Sequence, residues 1–145
     1  MKKLFFIVFL SSFAFFTTLP AKDACDSEFA KKEIDYIRAN MFGSAFSTKD
    51  KKQLYNIECA DNTAIFYYRY LGSLSDSYEK YSPDTIKNQQ ESSKDMAKTF
   101  YCGNLDIAET RFRKNGISVR KINSTQNKFE IFSYQLNPSD CKNYI

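Results

Sequence analysis

The sequence predicts an α+β fold: an antiparallel sheet of about four strands, packed by two to three helices and stapled by two disulfides. Three observations predict it. Two stretches, from Tyr55 to Leu71 and from Ile117 to Leu136, alternate side chains about short polar turns, as β-hairpins do. Two others, after Ser27 and after Ser82, carry apolar residues at helical spacing. Four cysteines, Cys25, Cys59, Cys102 and Cys141, stand in a chain whose start reads as an export signal.

That signal is MKKLFFIVFLSSFAFFTTLPA, residues 1–21. Lys2 and Lys3 are followed by an apolar run from Leu4 to about Phe16 and then by small and polar residues. A secretory signal has this layout, and Leu19 and Ala21 suit the positions before a cut after Ala21. The run is shorter than the roughly 20 residues a bilayer span needs, so no transmembrane segment is expected after cleavage. Lys22 and Asp23 precede Cys25 where lipidation requires small and apolar residues, so no lipid anchor is expected there. The mature chain is then one α+β domain over 22–145, periplasmic or secreted, and long enough to bury a core. The chain has 21 basic and 17 acidic side chains, and loss of Lys2 and Lys3 brings the two close to balance. So even a charge singles out no partner.

In an oxidising compartment an even cysteine count reads as a disulfide framework. Four cysteines allow three pairings. Cys25–Cys59 with Cys102–Cys141 is preferred, because each bond closes a loop of a few tens of residues within one half of the chain. Each should contribute roughly 3–4 kcal/mol.

The first helix is expected in CDSEFAKKEIDYIRANMFG, capped by Asp26 or Ser27 and stopped at Gly43, with Ala30, Ile34, Ile37 and Met41 on one face. A hairpin follows. Tyr55, Ile57 and Cys59 alternate, Asp61-Asn62 turns, and Ala64 to Leu71 returns as a central strand, apolar on both faces. GSLSDSYEKYSPD reads as a polar connection. Ser82 then caps a helix with Pro83 at its first position, where the missing N–H costs nothing. It runs to about Tyr101 with Ile86, Met96, Ala97 and Phe100 inward. A short helix over 104–114 has Leu105, Ala108 and Phe112 inward and Gly116 as its stop. The second hairpin turns at NSTQN and returns from Lys128 to Leu136, and NPSD carries Cys141 back to the body.

The chain has no histidine. That removes the commonest general base and metal ligand, and with them Ser-His and Cys-His nucleophile pairs. Oxidised cysteines leave no zinc site. No Cys-x-x-Cys and no glycine-rich phosphate loop occur. Glu58 with Asp61, or Asp106 with Glu109, could flank a glycosidic bond, but 17 acidic residues produce such pairs by chance. No enzyme activity and no cofactor are expected. Asn123 matches a glycan acceptor pattern that is incidental in a bacterial-looking protein.

Two stretches could meet a partner. FYYRY presents Tyr67, Tyr68 and Tyr70, large stiff side chains with polar tips that serve as interface anchors and equally as strand residues. RFRKNGISVRK holds Arg111, Arg113, Lys114, Arg120 and Lys121 with no acid among them. It could meet an anionic head group, a glycan or an acidic protein face, or be a solvated helix end that suits the helix dipole. Nucleic acid is not an expected partner of an exported protein.

The order of features from Tyr67 to Cys141 resembles small exported bacterial proteins that include the β-type pilotins of type II secretion systems. The matching residues are Cys102, Asn115-Gly116, the strands either side of NSTQN, and Cys141. The resemblance implies helices on an antiparallel sheet with a disulfide, and escort of a secretin. The sequence departs from it in lacking a lipidation site. The function expected is a non-enzymatic exported binding or accessory protein of the envelope, whose partner is another envelope protein. The alternative is a periplasmic inhibitor or immunity protein against an envelope enzyme or toxin.

Overall fold

The structure is a computed structural model and describes residues 22–42 and 52–144. The expected signal over 1–21 and the helix stop at Gly43 lie outside these residues. In chain order the elements are α1 (Glu28–Met41), β1 (Lys52–Ala60), β2 (Thr63–Tyr70), α2 (Ser73–Tyr78), α3 (Pro83–Cys102), α4 (Ala108–Lys114), β3 (Ser118–Ser124) and β4 (Glu130–Leu136). Single 3₁₀ turns occupy Ala24–Asp26 and Pro138–Cys141. The fold class is α+β, with both disulfides, Cys25–Cys59 and Cys102–Cys141, formed as the sequence suggests.

Local signals set most boundaries. Ser27 is the cap of α1, its Oγ accepting from the Ala30 N–H. Ser82 does the same for Thr85 at the start of α3, ahead of Pro83. Asp61 and Asn62 both take positive φ, 49° and 56°, the twist a two-residue hairpin turn requires. Gly116, at φ 74°, ends α4. Its N–H reaches the Arg113 carbonyl while the Ile117 N–H reaches Phe112, the paired bonds of a left-handed helix stop.

The sheet runs β1-β2-β3-β4. Its two outer pairs are antiparallel, but β2 and β3 are parallel, so the sheet is mixed where an antiparallel one was expected. The reason lies in the connection. All of α2, α3 and α4 separates β2 from β3, which is the long crossover a parallel pair demands. One of these helices, α2, forms within the segment expected to be a polar connection.

Helices cover one sheet face. Ala64, Phe66, Tyr68 and Tyr70 of β2 point to it, beside Val119 of β3 and Phe132 and Leu136 of β4. A bulge at Tyr55 lets Leu54 and Ile57, three residues apart, both face inward. From the helices come Ala30, Ile34 and Ile37, then Ala97, Tyr101 and Phe112. A smaller cluster joins Tyr70, Tyr78 and Phe132, with Ile86 packed against it.

Three inward expectations need correcting. Met96 is 63 % exposed, Phe100 44 % and Leu105 52 %. The Cys102–Cys141 bond and the Tyr101 hydroxyl, which donates to the Ile117 carbonyl at 3.1 Å, fix the rotation of α3. Ala97 and Tyr101, four residues apart, then share the buried stripe, and their sequence neighbours Met96 and Phe100 are turned about 100° away.

Candidate functional site

The two-residue period of the strands distributes the candidate residues over two surfaces. Tyr67 and Arg120 lie on the sheet face away from the helices. Tyr68, Tyr70 and Lys121 lie on the helix-covered face.

On the open face, Tyr67 of β2 donates its hydroxyl to the Glu58 carboxylate of β1. That bond, then partial burial, pushes the phenol up to about 12. The Tyr55 and Tyr67 rings lie 6.1 Å apart. The Arg69 guanidinium sits 5.6 Å from the Tyr55 ring while its Nε donates to Gln53 Oε1 at 2.7 Å. Ile65, Ile122 and Arg120 complete a half-exposed band. Tyrosine, arginine and branched aliphatic side chains, held rigid on strands, have the makeup of a protein-binding patch.

On the helix side, a cleft of about 730 Å³ opens between α1, the α3–α4 corner and the sheet. Phe66, Tyr68, Lys121 and Tyr134 form its floor, and Tyr36, Phe100 and Leu105 stand exposed at its rim. Lys121 Nζ donates to Glu109 Oε1 at 2.6 Å, with side-chain exposures of 15 % and 18 %. Burial opposes charge on both. The ammonium and carboxylate, with the Tyr68 and Tyr134 hydroxyls near Lys121 and Arg111 near Glu109, outweigh it, raising Lys121 and lowering Glu109. Burial pushes Tyr68 up to about 12.

Lys52 also lines this cleft. Its ammonium is 4.5 Å from the Tyr68 ring centroid and 5.3 Å from that of Tyr70. Burial, then the charge of Lys121, brings it down to about 8. The sequence reading passed over Lys52. Its signal was the parity with Leu54, which places a lysine on the inward row of an apolar strand.

The basic run RFRKNGISVRK does not form one patch. Arg111 grips both oxygens of Glu33, Nε at 3.0 Å and Nη2 at 2.7 Å, and gives Nη1 to Asp106 at 2.7 Å. Arg113 donates to the Gly103 carbonyl at 3.0 Å and holds the α3–α4 corner. Lys121 is in the cleft, Arg120 is on the open face, and Lys114 is exposed at the end of α4. Three of the four candidate carboxylates are engaged, Asp106 with Arg111, Glu109 with Lys121 and Glu58 with Tyr67, while Asp61 is exposed in the β1–β2 turn. Asn123 is buried in β3, away from any glycan.

No family model and no curated relative matches the sequence. Two solved structures are similar to the fold. One is a Pseudomonas aeruginosa protein described as secreted, at TM-score 0.56 and 9 % identity, covering 79 % of this chain and 94 % of its own. The other is the pilotin of the Vibrio vulnificus type 2 secretion system, at TM-score 0.48 and 13 % identity, covering 79 % and 92 %. The first likeness is one of fold alone. Among the described residues no helix is long and apolar enough to cross a membrane.

Proposed function

We propose that the protein is a non-enzymatic exported binding protein of the bacterial envelope, an accessory that captures another envelope protein in a secretion or surface assembly. The observation that carries this reading is the band of Tyr55, Tyr67, Arg69 and Arg120 on a sheet face left free of helices among the described residues. Stiff aromatics flanked by guanidinium groups bury large area at small entropic cost and answer an acidic or polar rim. The two disulfides support an oxidising compartment, outside the cytoplasm. The lack of histidine and the engagement of Glu58, Asp106 and Glu109 by Tyr67, Arg111 and Lys121 support a binding role over catalysis.

The test is a pull-down from the native envelope with the full chain, gentle crosslinking and mass spectrometry of what is captured. An envelope assembly protein should be recovered and should be lost with Arg120→Glu, which leaves thermal stability near that of the wild type, and with Tyr67→Ala. Capture that survives both substitutions would overturn the docking face. Recovery of a single hydrolase or toxin would replace the accessory role with inhibition.

A further inference from the structure

The geometry points to a second binding site, on the opposite side of the sheet: the cleft is a seat for a single-chain anionic amphiphile, a fatty-acid-like molecule. Its carboxylate pairs with the Lys52 ammonium and its hydrocarbon chain lies over Tyr68 toward Tyr36 and Leu105.

Charge within the cleft selects the head group. Three cations line it. Lys121 is answered by Glu109, and Arg111 by Glu33 and Asp106. Lys52 has no carboxylate within ion-pair distance among the described residues; the π-surfaces of Tyr68 and Tyr70 lie against it, and the Lys121 charge acts on it from the same cleft. A partly buried ammonium without a counter-charge is costly, and a bound carboxylate would offset that cost. An ammonium set against two aromatic faces, with no carboxylate beside it among the described residues, makes a one-charge socket.

The walls select the tail. A volume of about 730 Å³ lies in the range of small-molecule sites, and most of the lining is aliphatic or aromatic. Tyr36 and Leu105, more than half exposed, and Phe100, nearly so, converge on the mouth from α1, the α3–α4 loop and α3. Apolar side chains left in water around a concavity mark a site that covers them when filled. An inorganic anion would satisfy Lys52 and leave these walls wet. A neutral alkyl chain would cover the walls and leave Lys52 unanswered.

The test is isothermal titration calorimetry of the oxidised protein with sodium laurate below its micelle concentration, and in parallel with dodecyl maltoside and dodecyltrimethylammonium. Laurate should bind one to one, at least tenfold more tightly than either twelve-carbon relative. Lys52→Met should weaken laurate tenfold or more, and Lys52→Arg should keep it. Leu105→Asp, at an exposed rim position the fold does not need, should also abolish binding, and it decides the matter if Lys52→Met fails to fold. Laurate that does not saturate by about 1 mM, equal binding of dodecyl maltoside, or unchanged binding by Lys52→Met would each overturn the proposal. Loss of a captured envelope protein on Leu105→Asp, with no laurate bound, would assign the cleft to a protein segment instead. Arg120→Glu leaves laurate binding intact, so the cleft and the docking face stand or fall separately.

Discussion

Lys121 of β3 and Glu109 of α4 meet at 2.6 Å beneath the cleft, tying the inward face of a central strand to the last helix. Removing one partner leaves the other charge poorly solvated, whereas removing both does not. Lys121→Met alone should therefore cost about 3 kcal/mol in urea unfolding, at the low end for buried pairs because both groups keep some exposure. Lys121→Met combined with Glu109→Leu should cost clearly less than the sum of the single changes. Strict additivity would show that the two are uncoupled. Glu109 is depressed in the fold, so the stability it contributes is present above its unfolded pKa and is lost as pH falls through the carboxylate range.

Lys52 is also lowered in the fold, but at neutral pH its burial costs stability instead of contributing it. Its pKa is about 8 folded against 10.5 unfolded, so between these values the unfolded chain holds a proton that the folded one has released. Stability should rise with pH from about 8 toward 10. Above 10 the trend reverses, because Tyr67 and Tyr68, held neutral to about 12, must stay protonated in the fold. Melting temperatures measured at about pH 7.5 and 9.5 should differ in the wild type and converge in Lys52→Met. Lys52→Met should also equal or exceed the wild type at neutral pH.

Each disulfide closes a loop spanning 34 or 39 positions. The chain-entropy model assigns about 4 kcal/mol to either. Cys102→Ser with Cys141→Ser should lose roughly that amount and expose the end of α3 and the tail of β4 to hydrogen exchange. Cys25→Ser with Cys59→Ser should instead loosen the N-terminal turn against the β1–β2 hairpin. There Asp23 accepts from the Cys25 and Asn62 amides, each at 2.8 Å, and these bonds hold its carboxyl below the usual range. Equal loss of protection everywhere in both variants would contradict this division.

Asn123 is 1 % exposed, and neither of its side-chain polar atoms has a partner among the described residues. It lies across the sheet from Tyr68 and Phe132. Asn123→Leu, close in volume, should raise stability by about 1–2 kcal/mol in chemical denaturation, since a buried unpaired amide costs that much. A loss would show that the amide is satisfied in solution.

Features that rest on neighbouring residues were legible in the sequence. Ser27, Ser82 with Pro83, Asp61-Asn62 and Gly116 each act within about one turn of chain, so their residue types suffice to place a cap, a turn or a stop. The disulfide pairing was legible for a related reason: each bond joins cysteines within one half of the chain. Both candidate surfaces were only half legible. FYYRY was visibly aromatic, and alternation along a strand told that Tyr67 would part from Tyr68 and Tyr70, but not which face would be covered.

The sequence by itself determined an α+β chain with two disulfides, its helix starts and hairpin turns, and the lack of histidine chemistry. These depend on composition and on contacts close in the chain. The tertiary structure alone decided that β2 and β3 run parallel, that Phe100 and Leu105 turn to a cleft, and that RFRKNGISVRK disperses into a helix clamp, a cleft floor and an open face. It alone brought Lys52 and Lys121 to one cleft, 69 positions apart in the chain. Which face a helix presents, and which charges meet, is set by partners far away in sequence, and no local pattern encodes them.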